Sequence, residues 1–318
     1  MFTADLQSRL KVQHLMVLAN VGRYRNAHRT AQEMGLSQPA ISKIIREVEE
    51  IFEVQLFERG RSGMHPNGIG EALVARAVAL LNDLAHTRAE IEAITAGEIG
   101  HLRLGAIAFL SPTLIPRTLK QFASEKLSLT LDIHEGTSQA LVSQLLQREL
   151  DCVIGRYVSE HEHALDQQIL YYQRFAAVVN GDHPTLGRSD RIALSETAGF
   201  GWIVPPSRTA ARQALSALFM QSGLTPPRVQ VESSSLEIIK AFLLDSDLIG
   251  ILPIEIARHF VAEAGLRVLP FPIEYQPAPV TLIRRRGEQS APSIERFSRT
   301  VTDVAARLAS EAGDHVIK

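Results

Sequence analysis

The sequence predicts a multidomain protein in which an all-α N-terminal part is followed by a longer α/β part. The first hundred residues carry apolar side chains at helical intervals, whereas from Leu127 onwards short β-rich runs alternate with helical runs. Gly97 and Gly100 lie at the change of pattern, and we interpret them as a hinge. The length of 318 residues fits two or three compact domains.

Composition excludes several classes of protein. Lys and Arg number 33 against 35 Asp and Glu, so the formal net charge of −2 gives no hint of a nucleic-acid partner. The single cysteine, Cys152, rules out an internal disulfide and a multi-cysteine zinc site. No apolar run reaches the ~18–20 residues that span a bilayer, and the residues after Met1 lack the layout of a secretory signal. We therefore expect a cytoplasmic protein without membrane partners.

Two short N-terminal helices have the spacing of a helix-turn-helix. Asn26 is a good N-cap for the first helix, and Gly35 follows it where a left-handed residue is favoured. Ser37 caps the second helix, which tolerates Pro39 in its first turn and carries an apolar stripe that begins at Ile41. Because the caps, the small residue at the crossing and the stripe all agree, the pattern predicts a helix-turn-helix.

The polar face of the second helix favours contact with DNA. Gln38, Ser42 and Arg46 recur every four residues with Lys43 beside them, so their side chains can reach phosphates and base edges in a major groove. Glu47, Glu49 and Glu50 follow towards the other end, and we expect them to keep that half of the helix out of the groove. A solvated helix face of mixed charge is the alternative interpretation.

The segment from Leu56 to Gly68 is typical of a wing, a loop rich in glycine that follows a helix-turn-helix. Its Arg59 and Arg61 are expected to follow the DNA backbone or to enter a narrow minor groove.

Residues 69–97 predict a long helix with a heptad seam. Apolar or small residues repeat at alternating four- and three-residue steps at positions 73, 77, 80, 84, 87, 91 and 94. A stripe this narrow is typical of a helix that buries its apolar side chains against a partner helix. We therefore predict that two copies of the chain form a homodimer by pairing these helices. Packing against its own domain is the alternative.

These residues carry a family resemblance. The run from Ala31 to Lys43, followed by Leu56-Phe57-Glu58-Arg59, resembles the LysR-type transcriptional regulators. The wing form His65-Pro66, with Gly70 retained, resembles the subgroup of galactose-binding-protein and protocatechuate-operon regulators.

The resemblance implies an all-α winged helix-turn-helix domain (1–68), a linker and dimerisation helix (69–97) and an effector-binding domain (98–318). It further implies that the last domain is α/β and periplasmic-binding-protein-like (type 2), with subdomain I at about 98–172 and 271–318 and subdomain II at about 173–270. The implied partners are double-stranded promoter DNA, a small effector and RNA polymerase, in a homodimer or a homotetramer. The expected DNA-binding residues are Asn26, His28, Arg29, Ser37, Gln38, Pro39, Ser42, Lys43, Arg46, Arg59 and Arg61.

The C-terminal part shows strand candidates separated by helical runs, among them 127–134, 151–156, 175–180, 201–204, 228–232, 249–252 and 280–284. This alternation predicts a parallel α/β arrangement, in which ligands bind beyond the carboxyl ends of the strands.

Hydroxyl groups at four predicted strand-to-helix turns suggest an anion site. Helix N-termini offer free N–H groups, although each hydroxyl taken singly is more often just an N-cap. Our hypothesis is that a small organic anion binds there, with an arginine adding charge pairing and apolar residues beside it. The effector-binding residues expected are Phe109, Ser111, Thr137, Ser138, Arg156, Pro205, Ser207, Arg208 and Ser234.

Other motifs predict no chemistry. Cys152 lies in an apolar strand and is expected to be buried, and the run from Glu160 to His163 lacks further metal ligands. No dinucleotide fingerprint, phosphate-binding loop or nucleophile elbow is present, so we expect no cofactor, no metal, no catalytic residues and no enzyme. The alternative function is a cytoplasmic small-molecule binding protein or enzyme whose N-terminal helices only mediate oligomerisation.

Overall fold

The structure is a computed structural model that describes residues 8–60, 63–185, 192–207, 209–270, 273–275, 277–287 and 291–311. The chain divides into two compact units, one containing residues 1–101 with 143–150 and the other containing residues 102–142 with 151–318. Across the described ranges, no helix is both long enough and apolar enough to cross a membrane.

Three helices open the first unit: α1 (Val12–Tyr24), α2 (Ala27–Met34) and α3 (Gln38–Phe52). The predicted caps of the last two are confirmed. Asn26 Oδ1 accepts from the N–H groups of His28 and Arg29, and Ser37 Oγ accepts from Ala40 N–H. Gly35 ends α2 at φ 63°, a left-handed conformation that glycine adopts without steric cost.

The wing is a two-stranded antiparallel hairpin, β1 (Phe57–Gly60) and β2 (Gly63–Pro66), so the domain is not purely helical. The linker helix α4 (Gly68–Thr95) follows directly. One apolar core holds this unit together, in which Leu18, Ile41, Val48 and Leu56 are fully buried. Ala77 of α4 belongs to the same core, so the start of the linker helix is anchored there.

The second unit contains two lobes. The sheet of the first lobe has the order β4-β3-β5-β12-β6, from β3 (His101–Ile107), β4 (Thr130–Gly136), β5 (Cys152–Arg156), β6 (Leu165–Tyr171) and β12 (Val280–Arg285). Its helices are α5 (Leu114–Ser124), α6 (Ser138–Leu146) and α10 (Pro292–Glu311), and a 3-10 turn lies at Glu162–Ala164.

The sheet of the second lobe has the order β11-β7-β10-β8-β9, from β7 (Phe175–Val179), β8 (Trp202–Val204), β9 (Val229–Glu232), β10 (Ile249–Pro253) and β11 (Arg267–Val268). Its helices are α7 (Ala210–Gln221), α8 (Leu236–Leu244) and α9 (Ile254–Ala264), with a 3-10 turn at Leu194–Gly199. Trp202 and Phe219 are buried on one face, where their rings meet edge-to-face at 5.7 Å.

The prediction of parallel sheets is wrong in part, because both sheets are mixed. β3 and β5 are parallel, as are β8, β9 and β10. β12, however, runs antiparallel to β5 and β6, and β7 runs antiparallel to β10. The reason is topological: β12 returns to the first lobe after the chain has passed through the second, so it enters its sheet from the opposite end.

Candidate functional site

The exposed face of α3 presents the residues that the sequence assigned to DNA. Gln38, Pro39, Lys43 and Arg46 are exposed, whereas Ser42 is half-buried. Arg46 Nε donates to Ser42 O at 3.2 Å, which holds the guanidinium along the helix. The N-terminal half of α3 therefore offers amide, hydroxyl and cationic groups on one exposed surface, suited to phosphates and base edges.

Acidic residues occupy the other half of α3. Glu50 and Glu53 are exposed, and together with Arg46, Val54 and Gln55 they line a shallow depression. Glu47 lies 3.7 Å from Lys43 Nζ and 3.5 Å from the ring of buried His14. Negative charge at this end would repel a DNA backbone, in keeping with the expectation that only the first half of the helix enters a groove.

Glu49 lies in the expected half of α3 and has a structural role that the sequence analysis did not assign. Its Oε1 accepts from the N–H of Leu56 at 2.8 Å and of Phe57 at 3.3 Å, so the carboxylate holds the chain where β1 begins. The sequence analysis missed this role because no local pattern links Glu49 to residues seven and eight positions later. Glu49 thus positions the wing relative to α3.

Two further contacts fix the wing at its base. Asn67 donates from Nδ2 to Gln55 O at 2.8 Å and accepts at Oδ1 from Gly70 N–H at 2.9 Å. Met64 N–H donates to the carbonyl of Arg25 at 3.0 Å, which joins β2 to the turn between α1 and α2. The backbone of Arg59 lies in β1, while its side chain and the whole of Arg61 lie outside what the structure describes.

The remaining predicted DNA contacts lie at the start of α2. Asn26 is exposed, but its carboxamide oxygen is already committed to capping the helix. His28 and Arg29 are exposed on the first turn, and Ser37 likewise uses its hydroxyl oxygen as a cap.

The predicted heptad seam of α4 has two parts. Leu73 and Ala77 pack into the N-terminal core, so the alternative of packing within the domain holds for this first part. Farther along, Leu80, Leu84, Ile91 and Ile94 are exposed, with Ile91 at 59%. That second part leaves large apolar side chains uncovered in the single chain.

In the first lobe, the predicted hydroxyls gather at the carboxyl ends of neighbouring strands β4, β3 and β5. Thr137 Oγ1 accepts from Ala140 N–H at 3.3 Å, as an N-cap does, and Ser138 Oγ accepts from Arg156 N–H at 2.9 Å. Ser111 N–H donates to the hydroxyl of Tyr171 at 3.2 Å, and burial raises the pKa of Tyr171, which keeps its hydroxyl protonated. The hydroxyl-bearing turns of this lobe therefore lie along one sheet edge.

Arg156 is the cation at this edge. Its guanidinium donates to Gln173 Oε1 and to Ala278 O, the latter at 3.0 Å, and thereby ties together the two segments that cross between the lobes. Desolvation lowers the pKa of Arg156, and Tyr171 and Glu255 oppose that effect. Both acceptors are neutral, and no ion pair to Arg156 forms among the described residues. With five N–H donors, the guanidinium keeps capacity for an anion.

Phe109 has a buried side chain. Its side chain is 7% exposed and packs in a core of the second lobe with Ile239, Ile256 and Phe260. Its carbonyl accepts from Gln173 Nε2 at 2.9 Å. Phe109 therefore connects the lobes, and its ring is buried among apolar neighbours.

The second lobe places its turns after neighbouring strands β8 and β9. Pro205 is buried, whereas Ser207 and Ser234 are exposed and Arg208 falls in a gap of the description. The capping hydroxyls are those of Thr209 on α7 and Ser235 on α8, so the hydroxyls of Ser207 and Ser234 are not used as caps.

Cys152 is buried as expected, and the run from Glu160 to His163 lies at the surface. Cys152 is fully buried, and desolvation raises the pKa of its thiol far above the ordinary value. The run from Glu160 to His163 forms a surface turn, where Tyr157 donates its hydroxyl to Glu162. Within the described ranges, no group of three or more His, Cys, Asp or Glu side chains could hold a metal ion.

Comparisons with known proteins identify the family. Residues 12–71 match the family described as "Bacterial regulatory helix-turn-helix protein, lysR family", and residues 95–306 match "LysR substrate binding domain". The transcriptional regulator GbpR of Azospirillum brasilense is 28% identical over 268 residues, which cover 84% of this chain and 78% of that protein. PcaQ of Agrobacterium fabrum is 25% identical over 304 residues, covering 95% of this chain and 97% of that protein.

A solved structure shows the same fold. Full-length CbnR complexed with its target DNA superimposes with a TM-score of 0.63 at 18% identity, over 93% of this chain and all of that chain (100%). The two matched segments cover both the DNA-binding and the effector-binding parts, which confirms the predicted fold class and decides between the two predicted functions. This chain belongs to the LysR family of bacterial transcriptional regulators, which bind promoter DNA and small-molecule effectors and are not enzymes.

Proposed function

We propose that this regulator reads its operator with the N-terminal half of α3, flanked by the wing. The observation that carries the proposal is the division of α3 into an exposed half bearing Gln38, Lys43 and Arg46 and an acidic half bearing Glu50 and Glu53. Only the first half can approach a phosphate backbone without repulsion. Ser42 then faces the bases, while Arg46, Arg59 and Arg61 contact the backbone or a minor groove.

A footprint on the DNA upstream of the chain's own gene tests this proposal. We expect protection of two half-sites that survives competitor DNA, because specific contacts add to the electrostatic attraction. Binding that is equally strong on scrambled DNA and disappears with salt would overturn it.

Two substitutions then separate base reading from backbone contact. Ser42→Ala is expected to relax base preference, at about 1–3 kcal/mol for one lost base contact. Arg46→Ala is expected to weaken operator and scrambled DNA by the same factor. If both variants lost affinity equally on every sequence, the assigned roles would be wrong.

We further propose that the second part of α4 forms a homodimer. Leu80, Leu84, Ile91 and Ile94 are exposed in one chain, and burying such a side chain contributes about 1.5–3 kcal/mol. Dimerisation also places two readers on two half-sites. Sedimentation of Ile91→Asp should show a smaller assembly than the unmodified chain forms, whereas Met220→Asp, at a 71% exposed position on α7, is the matched control and should sediment as the unmodified chain does. A dimer of unchanged stability in Ile91→Asp would refute the helix as the interface.

The effector is proposed to be a small organic anion bound where the carboxyl ends of the strands carry hydroxyls and Arg156. The guanidinium of Arg156 has neutral acceptors and spare donors, and a carboxylate, sulfonate or phosphate group would accept hydrogen bonds from those donors. In this proposal Ser111, Thr137 and Ser138 contribute hydroxyl groups from the first lobe, and Ser207, Arg208 and Ser234 contribute polar groups from the second lobe. Pro205 and Phe109 supply buried apolar support.

Thermal-shift measurements on the full chain test the ligand class. Small carboxylates, sulfonates and phosphates are compared with neutral sugars of similar size, and a ligand at about 100 Kd should stabilise by about 2.7 kcal/mol. Arg156→Gln should abolish the shift, Ser234→Ala should reduce it, and Arg299→Gln, at an exposed position on α10, should leave it unchanged. Stabilisation by a neutral sugar alone would overturn the anionic class.

Regulation is proposed to follow from a shift between arrangements of the assembled protein. An effector that favours one closure of the lobes changes the population that fits the operator. Exposed Ile238 and Phe242, one turn apart on α8, offer an apolar surface through which dimers would pair into a homotetramer. The regulator acts in the cytoplasm, where it meets promoter DNA and RNA polymerase.

A further inference from the structure

An arginine cluster lies at the turn between α1 and α2, and of its residues the sequence analysis assigned only Arg29 to DNA. We call Arg23, Tyr24, Arg25 and Arg29 the corner cluster. Arg23 Cζ lies 5.4 Å and Arg29 Cζ lies 4.8 Å from the centroid of the Tyr24 ring. One half-buried aromatic ring therefore contacts two guanidinium groups, one from each helix that flanks the turn.

The positive charge of the corner cluster is poorly compensated. Arg23 and Arg29 are both exposed, and no described carboxylate lies within 4.0 Å of either guanidinium. Arg25 has Glu71 at 3.8 Å, an exposed pair in which solvent weakens the attraction. Positive charges gathered at one turn repel each other, so a bound anion would stabilise the arrangement.

The corner cluster adjoins the wing. Arg25 adopts a left-handed conformation at φ 50°, and its carbonyl accepts from Met64 N–H in β2 at 3.0 Å. A Cβ on Gly63 would collide with that same carbonyl, so glycine allows the hairpin and the corner to approach this closely. DNA that reaches the wing therefore passes close to the corner cluster.

The helix N-terminus does not explain the binding capacity by itself. Asn26 Oδ1 already accepts from the N–H groups of His28 and Arg29, so the cap satisfies donors that a phosphate would otherwise use. An anion at this corner must be bound by side chains, and Arg23 and Arg29 offer exposed guanidinium groups there.

We propose that the corner cluster binds a phosphate of the DNA backbone, with the Tyr24 ring orienting Arg23 and Arg29 towards it. A guanidinium presents paired N–H donors that match a phosphodiester. This inference rests on the proposed function, in which α3 and the wing contact the operator. It adds a contact on the α1 side of the wing that carries no sequence information and fixes the register of the domain on the duplex.

Salt titration of DNA binding tests the corner cluster. The full-length chain, Arg23→Gln, Arg29→Gln and the double variant are measured between 50 and 200 mM salt. The two DNA fragments are the one upstream of the chain's own gene and a scrambled fragment of equal length. Each lost phosphate contact makes the negative slope of log K against log salt shallower by about 0.9. The ratio of the unmodified chain's affinity to the variant's affinity should therefore fall about threefold between the lowest and the highest salt concentration. Both fragments should be affected by the same factor.

The ring and the overall charge have their own controls. Tyr24→Phe keeps the aromatic face and should bind as the unmodified chain does, whereas Tyr24→Leu should show part of the arginine effect because the ring no longer orients the guanidinium groups. Arg299→Gln removes the same charge from an exposed position in the other unit and should leave the slope unchanged. Thermal melting of each variant reports whether the domain remains folded.

The outcomes separate the two proposals. If the unmodified chain binds its upstream fragment specifically but the double variant keeps the full salt slope, the phosphate-binding proposal is wrong and the proposed function stands. The arginine–tyrosine contacts then only stabilise the turn between α1 and α2. A chain without preference for the upstream fragment overturns the proposed function instead. A slope reduced by about 1 or about 2 in the double variant supports the proposal, with one shared phosphate or two.

Discussion

Gly63→Ala should detach the wing from the corner of the domain. Gly63 has φ 126°, a conformation that L side chains rarely adopt, and a Cβ there would fall inside the 3.0 Å closest approach of the Arg25 carbonyl oxygen. Adopting such a backbone conformation costs about 1–3 kcal/mol. Relieving the collision also breaks the bond from Met64 N–H to Arg25 O, at about 0.5–1.5 kcal/mol. The N-terminal domain should lose about 2–4 kcal/mol of unfolding free energy.

Calorimetry and operator binding measure the two consequences. For a domain of this size, the melting temperature should fall by about 10 °C or more. Because the wing is displaced, operator affinity should drop at least about tenfold, the equivalent of ~1.4 kcal/mol. The melting of the second unit should stay the same.

Gly68 and Gly70 provide matched controls close by in the sequence. A Cβ on Gly68 meets open space, so Gly68→Ala should be nearly neutral, within about 0.5 kcal/mol. A Cβ on Gly70 would collide with the carbonyl of Leu56, which accepts from Asn67 N–H, so Gly70→Ala should destabilise the domain as Gly63→Ala does. If Gly63→Ala melted and bound DNA like Gly68→Ala, the close docking of wing and corner would be refuted.

Three further predictions concern the second unit. Asp151 has a side chain that is 2% exposed, and its carboxylate accepts from the backbone N–H and the guanidinium of Arg103. Asp151→Ala leaves that guanidinium without its buried partner and should lower the free energy of unfolding, measured in urea, by about 3–5 kcal/mol. A loss of under about 1 kcal/mol would contradict this. Burial raises the pKa of the Cys152 thiol, so above the ordinary thiol value of about 8.5 this thiol ionises in the unfolded chain and stays protonated in the folded one. The free energy of unfolding should therefore fall as the pH rises above that value, and Cys152→Ala should remove this contribution. Tyr171→Phe removes the acceptor of Ser111 N–H and should lower the free energy of thermal unfolding by about 1 kcal/mol. An added anion should recover part of that free energy by accepting from the same N–H. If no anion recovers it, Ser111 N–H does not face the effector.

The DNA-reading domain could be predicted in detail because its signals are local. Asn26, Gly35 and Ser37 act on backbone groups within a few residues of themselves, so capping chemistry alone defined α2, the turn and α3. The contacts that hold the wing are not local. Glu49 reaches Leu56 and Phe57, and the carbonyl of Arg25 reaches Met64, through backbone groups that leave no mark on residue types.

The effector site shows the same division. The sequence located the hydroxyl groups at strand-to-helix turns, but it did not show which of them cap a helix. In the structure, Thr209 and Ser235 cap their helices, whereas Ser207 and Ser234 do not. Phe109 was expected to flank the effector, and only the structure shows that its ring packs in the core of the second lobe. Apolar character predicts burial, whereas the neighbours that bury a side chain depend on how the lobes are connected.

By itself, the sequence determined the family, the helix-turn-helix, the linker helix and most strands of the effector domain, because each depends on caps, periodicity and turns within a short span; strands β6 and β11 were not predicted. Only the tertiary structure decided the mixed sheets, the arginine corner beside the wing, and the exposed second part of the seam in α4. It also placed Arg156 between the two crossing segments, with Gln173 and Ala278 as its acceptors. These features depend on chain segments that are distant in sequence, whose approach is governed by topology and by burial of the common core.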